Sequence, residues 1–305
     1  MDWATVSVRF ALYLDLTALF GLPLFGLYAL RREEISSGIG SRYVAIASAL
    51  AAVGIGLSLA NIAVMAKAMT GASEYAELQS HVFEMIVTGT NFGAAWAVRL
   101  VALVLCLLVA LFARRWPALQ IGVLAAAGGV ALSTLAWGGH GAMDDGVRRY
   151  IHLASDIGHL AAAGAWVGAL IAFVLLARAA STPETVALLS RTSNGFAQVG
   201  TIVVATLTVT GVINYLLIVG PTLPELSLTS YGGLLAIKLG LFGTMLALAA
   251  TNRYFLSPQL EHAMKSRNHA AAVRTFRRSL IVETSAATLI LALVASLGIL
   301  SPAGM

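Results

Sequence analysis

The stretch YIHLASDIGHLAAAGAWVGALIAFVLLAR, residues 150–178, decides the fold. Behind its polar first turns runs an apolar segment long enough to cross a hydrocarbon core of roughly 30 Å as an α-helix. Such runs recur along the whole chain. Breaks at charged or Pro/Gly-rich positions separate helices near 4–29, 43–69, 92–114, 118–138, 150–178, 195–219, 231–255 and 279–300. The expected architecture is an all-α, polytopic membrane helical bundle with eight transmembrane helices, residues 1–305 forming a single integral membrane domain. No internal repeat, low-complexity tail or separate soluble domain stands out.

Composition agrees with this reading. The residues A, V, I, L, M, F, W, Y and C make up 59% of the chain and 11% is charged. Mean hydropathy is strongly positive, far from the balance of soluble domains. The formal charge of +5 does not point to nucleic acid, because the basic residues sit in short clusters between apolar runs, where they act as topology signals. Thirteen of them fall in the connections 30–42, 114–117, 178–194 and 252–278, against Lys67, Arg148 and Arg149 on the opposite side. By the positive-inside rule the first set faces the cytoplasm, which puts both termini and the 137–150 loop outside. MDWATVSVRF at the N-terminus has no basic n-region, and no small-residue cleavage site follows it, so the first helix is expected to stay. Residues 70–91, the longest outside connection, suit an amphipathic helix along the interface and not a ninth span. The single cysteine, Cys106, lies inside an apolar run and excludes a disulfide framework or a CxxC motif.

Ionisable groups within spans are expensive and mark sites or paths. At about 1.5 Å of rise per residue, Arg9, Asn61, Arg99, Asp156, His159, Asn214 and Lys238 all fall roughly 8 to 14 Å in from the outer helix ends. One such layer predicts a water-accessible pocket open to the outside. Asp15 lies deeper and Glu283 nearer the cytoplasmic end, where they either continue a path inward or neutralise and cap neighbouring groups.

Residues 137–160, WGGHGAMDDGVRRYIHLASDIGHL, gather three of the six histidines beside three aspartates. His152, Asp156 and His159, at i, i+4 and i+7, share one helix face. The two histidines stand about 10 Å apart along the axis, too far to share an ion. His140 and Met143, across the short loop, complete a shallow site with His152, while Asp156 and His159 make a deeper one. Imidazole and thioether ligands suit copper; hard cations would want more carboxylates. Met65, Met69, His81, Glu84 and Met85 flank the same surface and are candidates for outer capture of soft ions. Ser155 beside His152 and Asp156 does not give convergent triad geometry, so a hydrolase is not expected. HExxH and GxxxxGK[ST] are both absent.

The segments TGTNFGAAWAVRL (88–100), GHG (139–141), HLASDIGHLAAAGAWVGAL (152–170), TSYGGLLAIKLGL (229–241), NRYFLSPQL (252–260) and LIVETSAATLILAL (280–293) resemble, in order and spacing, the copper resistance protein D family of bacterial inner-membrane proteins. That resemblance implies a multi-pass protein of the plasma membrane that moves copper inward, often together with a periplasmic copper-binding partner. It marks His140, His152, Asp156, His159, Trp166, Arg99, Lys238 and Glu283 as the family-like positions. The chain departs from it in an outer surface only modestly rich in methionine.

Two mechanisms compete. In the first, a transporter and not an enzyme, a copper ion enters at His140 and His152. It then passes Asp156 and His159 and continues past Asp15 or the sulfurs of Cys106 and Met245. Arg9, Arg99 and Lys238 oppose this, since three positive charges in one layer repel a bare cation. The alternative is a haem b-binding or quinone-linked redox protein, for example a cupric reductase, with His140 facing His159 as ligands and the three cations holding propionates.

Overall fold

The computed structural model describes residues 2–222, 224–227, 230–265 and 269–300. In chain order its helices are α1 (Trp3–Ala29), α2 (Arg32–Ile35), α3 (Gly38–Thr70), α4 (Ser80–Gly89), α5 (Asn91–Phe112), α6 (Pro117–Ser133), α7 (Gly146–Ala179), α8 (Pro183–Ile218), α9 (Tyr231–Thr251), α10 (Ser257–Lys265) and α11 (Ala270–Leu297). No strand occurs among the described residues. Among the described residues, eight helical segments are long and apolar enough to cross a membrane, as expected.

Local chemistry accounts for the helix ends. Asp2 caps α1 by accepting from the Ala4 amide at 3.1 Å, and Ser230 caps α9 by accepting from Gly233 at 3.2 Å. Gly71 closes α3 at φ 68°, a left-handed position that glycine takes without a Cβ penalty. Several helices outrun their apolar runs. Thr182 and Pro183 start α8 well before residue 195, and α11 begins at Ala270 and not near 279. Hydropathy sees only the part of a helix that needs lipid, so polar turns beyond it go unseen. The run 118–138 is composite: α6 ends at Ser133 and the chain tightens into a 3₁₀ turn over Thr134–Gly138. After α9 comes a π turn over Asn252–Leu256. The 70–91 connection folds as a short 3₁₀ turn followed by α4, whose Val82 and Ile86 pack inward against Ile62 and Ala66 of α3.

Helix α1 is the hub, packing on α7, α3, α6 and α11. Of the membrane-crossing windows in α1 and α7, 67% is buried, against 17% in α8 and 11% in that of α9, so the latter two form the rim. The hub is built on glycine. A methyl group at Gly21 would lie 1.9 Å from the Gly164 carbonyl oxygen, and one at Gly168 would lie 2.0 Å from the Gly21 carbonyl carbon. Backbone therefore touches backbone, the close approach that small residues permit in bilayers. At the basic end of the bundle, Arg191 donates to Glu34 at 2.6 and 2.7 Å and to the Ala29 carbonyl at 3.1 Å, fastening α8 to the α1–α3 connection.

Replacing Gly21 or Gly168 with Leu should abolish a monodisperse detergent-solubilised species. The cost should exceed the ~3 kcal/mol of ordinary overpacking, because backbone has to move. Gly56→Leu, at a position with open space around it, should elute as the parent does on size exclusion; equal behaviour of all three variants would overturn the hub assignment.

Candidate functional site

The site lies at the end opposite the basic connections, where two 3₁₀ turns, Thr134–Gly138 and His140–Met143, fold over the start of α7. His152 is 1% exposed. Its Nδ1 stands 2.6 Å from Asp144 Oδ2, and the other Asp144 oxygen accepts from Arg148 Nε at 3.2 Å. A carboxylate at Nδ1 assigns the ring proton there. The Nε2 that remains is buried, has no hydrogen-bond partner among the described residues and stands 3.9 Å from Asp156 Oδ2. The second glycine of the GHG segment makes room for this pair. A methyl at Gly141 would meet the His152 ring at 2.9 Å and Asp156 Oδ2 at 3.1 Å. The His140 side chain of that segment lies outside the described residues. Met143 is 75% exposed and turned to solvent.

One turn deeper, His159 Nδ1 stands 2.9 Å from the Thr210 hydroxyl of α8. That hydroxyl already donates to the Thr206 carbonyl at 2.6 Å, so it accepts from His159 and leaves Nε2 as the free imidazole nitrogen. Asp156 Oδ1 accepts from Asn214 Nδ2 at 2.8 Å. Asp156, His159, Asn214, Lys238, Arg9 and Tyr231 line one cavity of about 170 Å³. Lys238 forms no ion pair with Asp156 among the described residues.

Arg9 also lines a second cavity, of about 70 Å³, shared with Asn61, Arg99 and Met65. The expected polar layer is therefore divided: Asp156, His159, Asn214 and Lys238 stand on one side, Asn61 and Arg99 on the other, with Arg9 and Tyr13 between. Asp15 sits deeper; both its oxygens are buried without a hydrogen-bond partner among the described residues, and Oδ2 lies against Gly54. It neutralises neither Arg9 nor Arg99. Glu283 caps no helix and among the described residues pairs with no basic residue; its oxygens accept from Trp166 Nε1 and Asn252 Nδ2, both at 2.9 Å. It lines a third cavity, of about 290 Å³, with Phe173, Phe196 and Arg253. Cys106 and Met245 line none of the three. On α4, His81, Glu84 and Met85 are exposed together, and Met69 is exposed at the end of α3.

Among the described residues no three His, Cys, Asp or Glu converge as a ligand set. What the fold does bring together is the pair His152 and Asp156, with His159 as a separate neighbour. Three partners were not singled out from sequence: Asp144, Thr210 and Thr134, whose hydroxyl accepts from Arg99 Nε at 2.7 Å. The spacing of Asp144 from Arg148, i to i+4 across the start of α7, is a local signal that points to Asp144. Thr210 and Thr134 act from other helices, and nothing near them in sequence points to the groups they hold.

The chain was compared with known proteins. Residues 1–150 match the family model described as copper resistance protein D-like, N-terminal domain, and residues 190–297 match the model described as copper resistance protein D. A protein named copper resistance protein D, from Pseudomonas syringae pv. tomato, is 48% identical over 303 residues, covering 99% of this chain and 97% of that protein. The inner membrane protein YebZ of Escherichia coli (strain K12) is 27% identical over 259 residues, 84% of this chain and 85% of that one. No solved structure matches.

The tautomer assigned to His159 is directly measurable. Thr210→Val keeps shape but removes the acceptor, so nitrogen chemical shifts of His159 should change from one tautomer to a mixture, with a stability loss of about 1 kcal/mol. Thr208→Val, at an exposed position on the same helix, should change neither. An unaltered His159 spectrum in Thr210→Val would refute the assignment.

Proposed function

Because the chain belongs to the copper resistance protein D family, we propose that it carries copper from the periplasm toward the cytoplasm as a transporter. It is a multi-pass protein of the bacterial plasma membrane. In the proposed orientation both termini and the 137–150 turns face the periplasm, and the single membrane domain spans residues 1–305.

The observation that carries the reading is the unpartnered, buried His152 Nε2 facing Asp156 across 3.9 Å. A copper ion bonded to both at roughly 2 Å each would fit between them. Asp144 would hold the ring for that bond by fixing its other nitrogen, as second partners of metal-bound histidines do. His140 and Met143 would receive the ion from the periplasm. His81, Glu84, Met65, Met69 and Met85 would collect it there, directly or from a periplasmic copper-binding protein. His159 Nε2 would take it onward into the 170 Å³ cavity. The charge of Asp156 offsets Lys238 across that cavity, which eases the repulsion three cations would otherwise impose. The onward route runs past Asp15 and Glu283 and requires the bundle to open, because Glu283 lines a different cavity from Asp156 and His159. A haem reading gains nothing from this geometry: about 170 Å³ falls below the roughly 300 Å³ at which ligand pockets begin.

Purified protein should retain copper by mass spectrometry and show no Soret band. His152→Ala should lose the metal, and cells that rely on this protein should lose copper-dependent growth with either His152→Ala or His159→Ala. Asp144→Asn should weaken copper binding by roughly 10- to 100-fold with the fold intact, while Asp145→Asn, exposed and unbonded to His152, should not. Unchanged growth and copper content in both histidine variants would refute the path.

A further inference from the structure

The 70 Å³ cavity has an electrostatic composition that the copper reading does not use. Arg99 is 1% exposed. Its Nε donates to the Thr134 hydroxyl at 2.7 Å, and its Nη1 is buried with no partner among the described residues. Arg9 donates through Nη1 to the Gly138 carbonyl at 3.2 Å, and its Nε is likewise buried and unpartnered. Both line the same cavity, together with the amide of Asn61 and the phenol of Tyr13. No Asp or Glu lines it, and among the described residues neither arginine has an ion-pair partner.

A guanidinium does not lose its proton in a protein. With Arg99 buried and Arg9 half-buried beside one cavity, the two carry a desolvation cost, greatest at Arg99, that neutral hydroxyl and carbonyl partners offset only in part. Asp15 does not supply the missing charge, because it does not line this cavity and forms no ion pair with either arginine. The Gly138 carbonyl, at the end of a 3₁₀ turn, offers Arg9 a partial negative charge; Arg99 has a hydroxyl alone. Unused donors on both groups leave the cavity short of one acceptor that bears a full negative charge.

We infer that the cavity between Arg9 and Arg99 binds a small monovalent inorganic anion, chloride foremost. The remaining walls, which include Leu12, Val64, Met65 and Phe92, favour a weakly hydrated halide over a strongly hydrated sulfate or phosphate. With the anion in place, the pair of arginines presents one net positive charge where it would present two. Arg9 also borders the cavity of Asp156 and His159, so the anion lowers the potential there for any cation. This inference stands on the two arginines and does not rest on copper transport.

The test uses full-length protein in detergent, with copper removed by a chelator so that the outcome is independent of metal transport. Radiolabelled chloride is dialysed against it at constant ionic strength, with gluconate as filler. The expected result is one saturable chloride per chain, displaced by bromide. It should be weakened about tenfold or more in Arg9→Gln, as loss of one charged hydrogen bond implies, and unaffected in Arg114→Gln, which is exposed at the opposite end. Arg99→Gln should lose the site. If that variant does not fold, Arg99→Lys, which keeps the charge but not the planar fork, should still weaken binding. Absence of saturable chloride binding would overturn the inference. So would binding that survives both Arg9→Gln and the Arg99 variants, or displacement by sulfate more readily than by bromide.

Discussion

Helix α1 lies with its backbone against that of α7, and the rest of the molecule is arranged around that contact. Lipid tails are as apolar as leucine, so helices in a bilayer gain nothing by hiding apolar faces from each other. Close van der Waals approach has to hold them instead. Gly21, Gly164 and Gly168 provide it, since a Cβ at Gly21 or Gly168 would collide with the opposing main chain. The register follows. Gly21 touches Gly168, and twelve residues toward the site end on each helix stand Arg9 and Asp156, roughly 18 Å up both axes. That shared offset is why residues so far apart in sequence line one cavity.

Within the bundle, charged and polar groups are held by neutral partners. Glu283 accepts from an indole and an amide, Asp156 from an amide; Arg99 and His159 donate to threonine hydroxyls. The close ion pairs among the described residues, Asp144 with Arg148 and Glu34 with Arg191, gather near the helix ends. A neutral partner fixes where a charged group points without cancelling its charge. An ion that enters then meets an uncompensated field in a low-dielectric setting, where a single charge counts for more than at the surface. Two histidines are oriented in turn, His159 by a threonine hydroxyl and His152 by the Asp144 carboxylate: each commits Nδ1 to a fixed partner and leaves Nε2 open.

Glycine serves the site as it serves the hub. GHG reads in sequence as a turn flanking a histidine, yet Gly141 is needed because the His152 ring and the Asp156 carboxylate occupy the space of a side chain. The 3₁₀ turn that begins at Thr134 acts similarly from the other direction. By ending α6 early it brings a threonine hydroxyl to Arg99 and a glycine carbonyl to Arg9.

Eight spans, the asymmetric distribution of basic residues and the common face of His152, Asp156 and His159 are legible in the order of the residues. Each depends only on chain length, local charge or the 3.6-residue period. That order also led to the expectation of one shared depth for Arg9, Arg99, Asp156, His159 and Lys238, because depth is reckoned from the distance to a helix end. Only the tertiary structure decided which of them meet. Helices that are apolar nearly all round carry little signal about which face turns inward, so it could not be read that Arg9 would stand between two cavities or that Asp15 would face glycine instead of an arginine. Nor could it be read that Thr210 would hold His159. Those outcomes depend on helix rotation and on interaxial distance, which here are set by three glycines whose role is visible only once the two backbones are in contact.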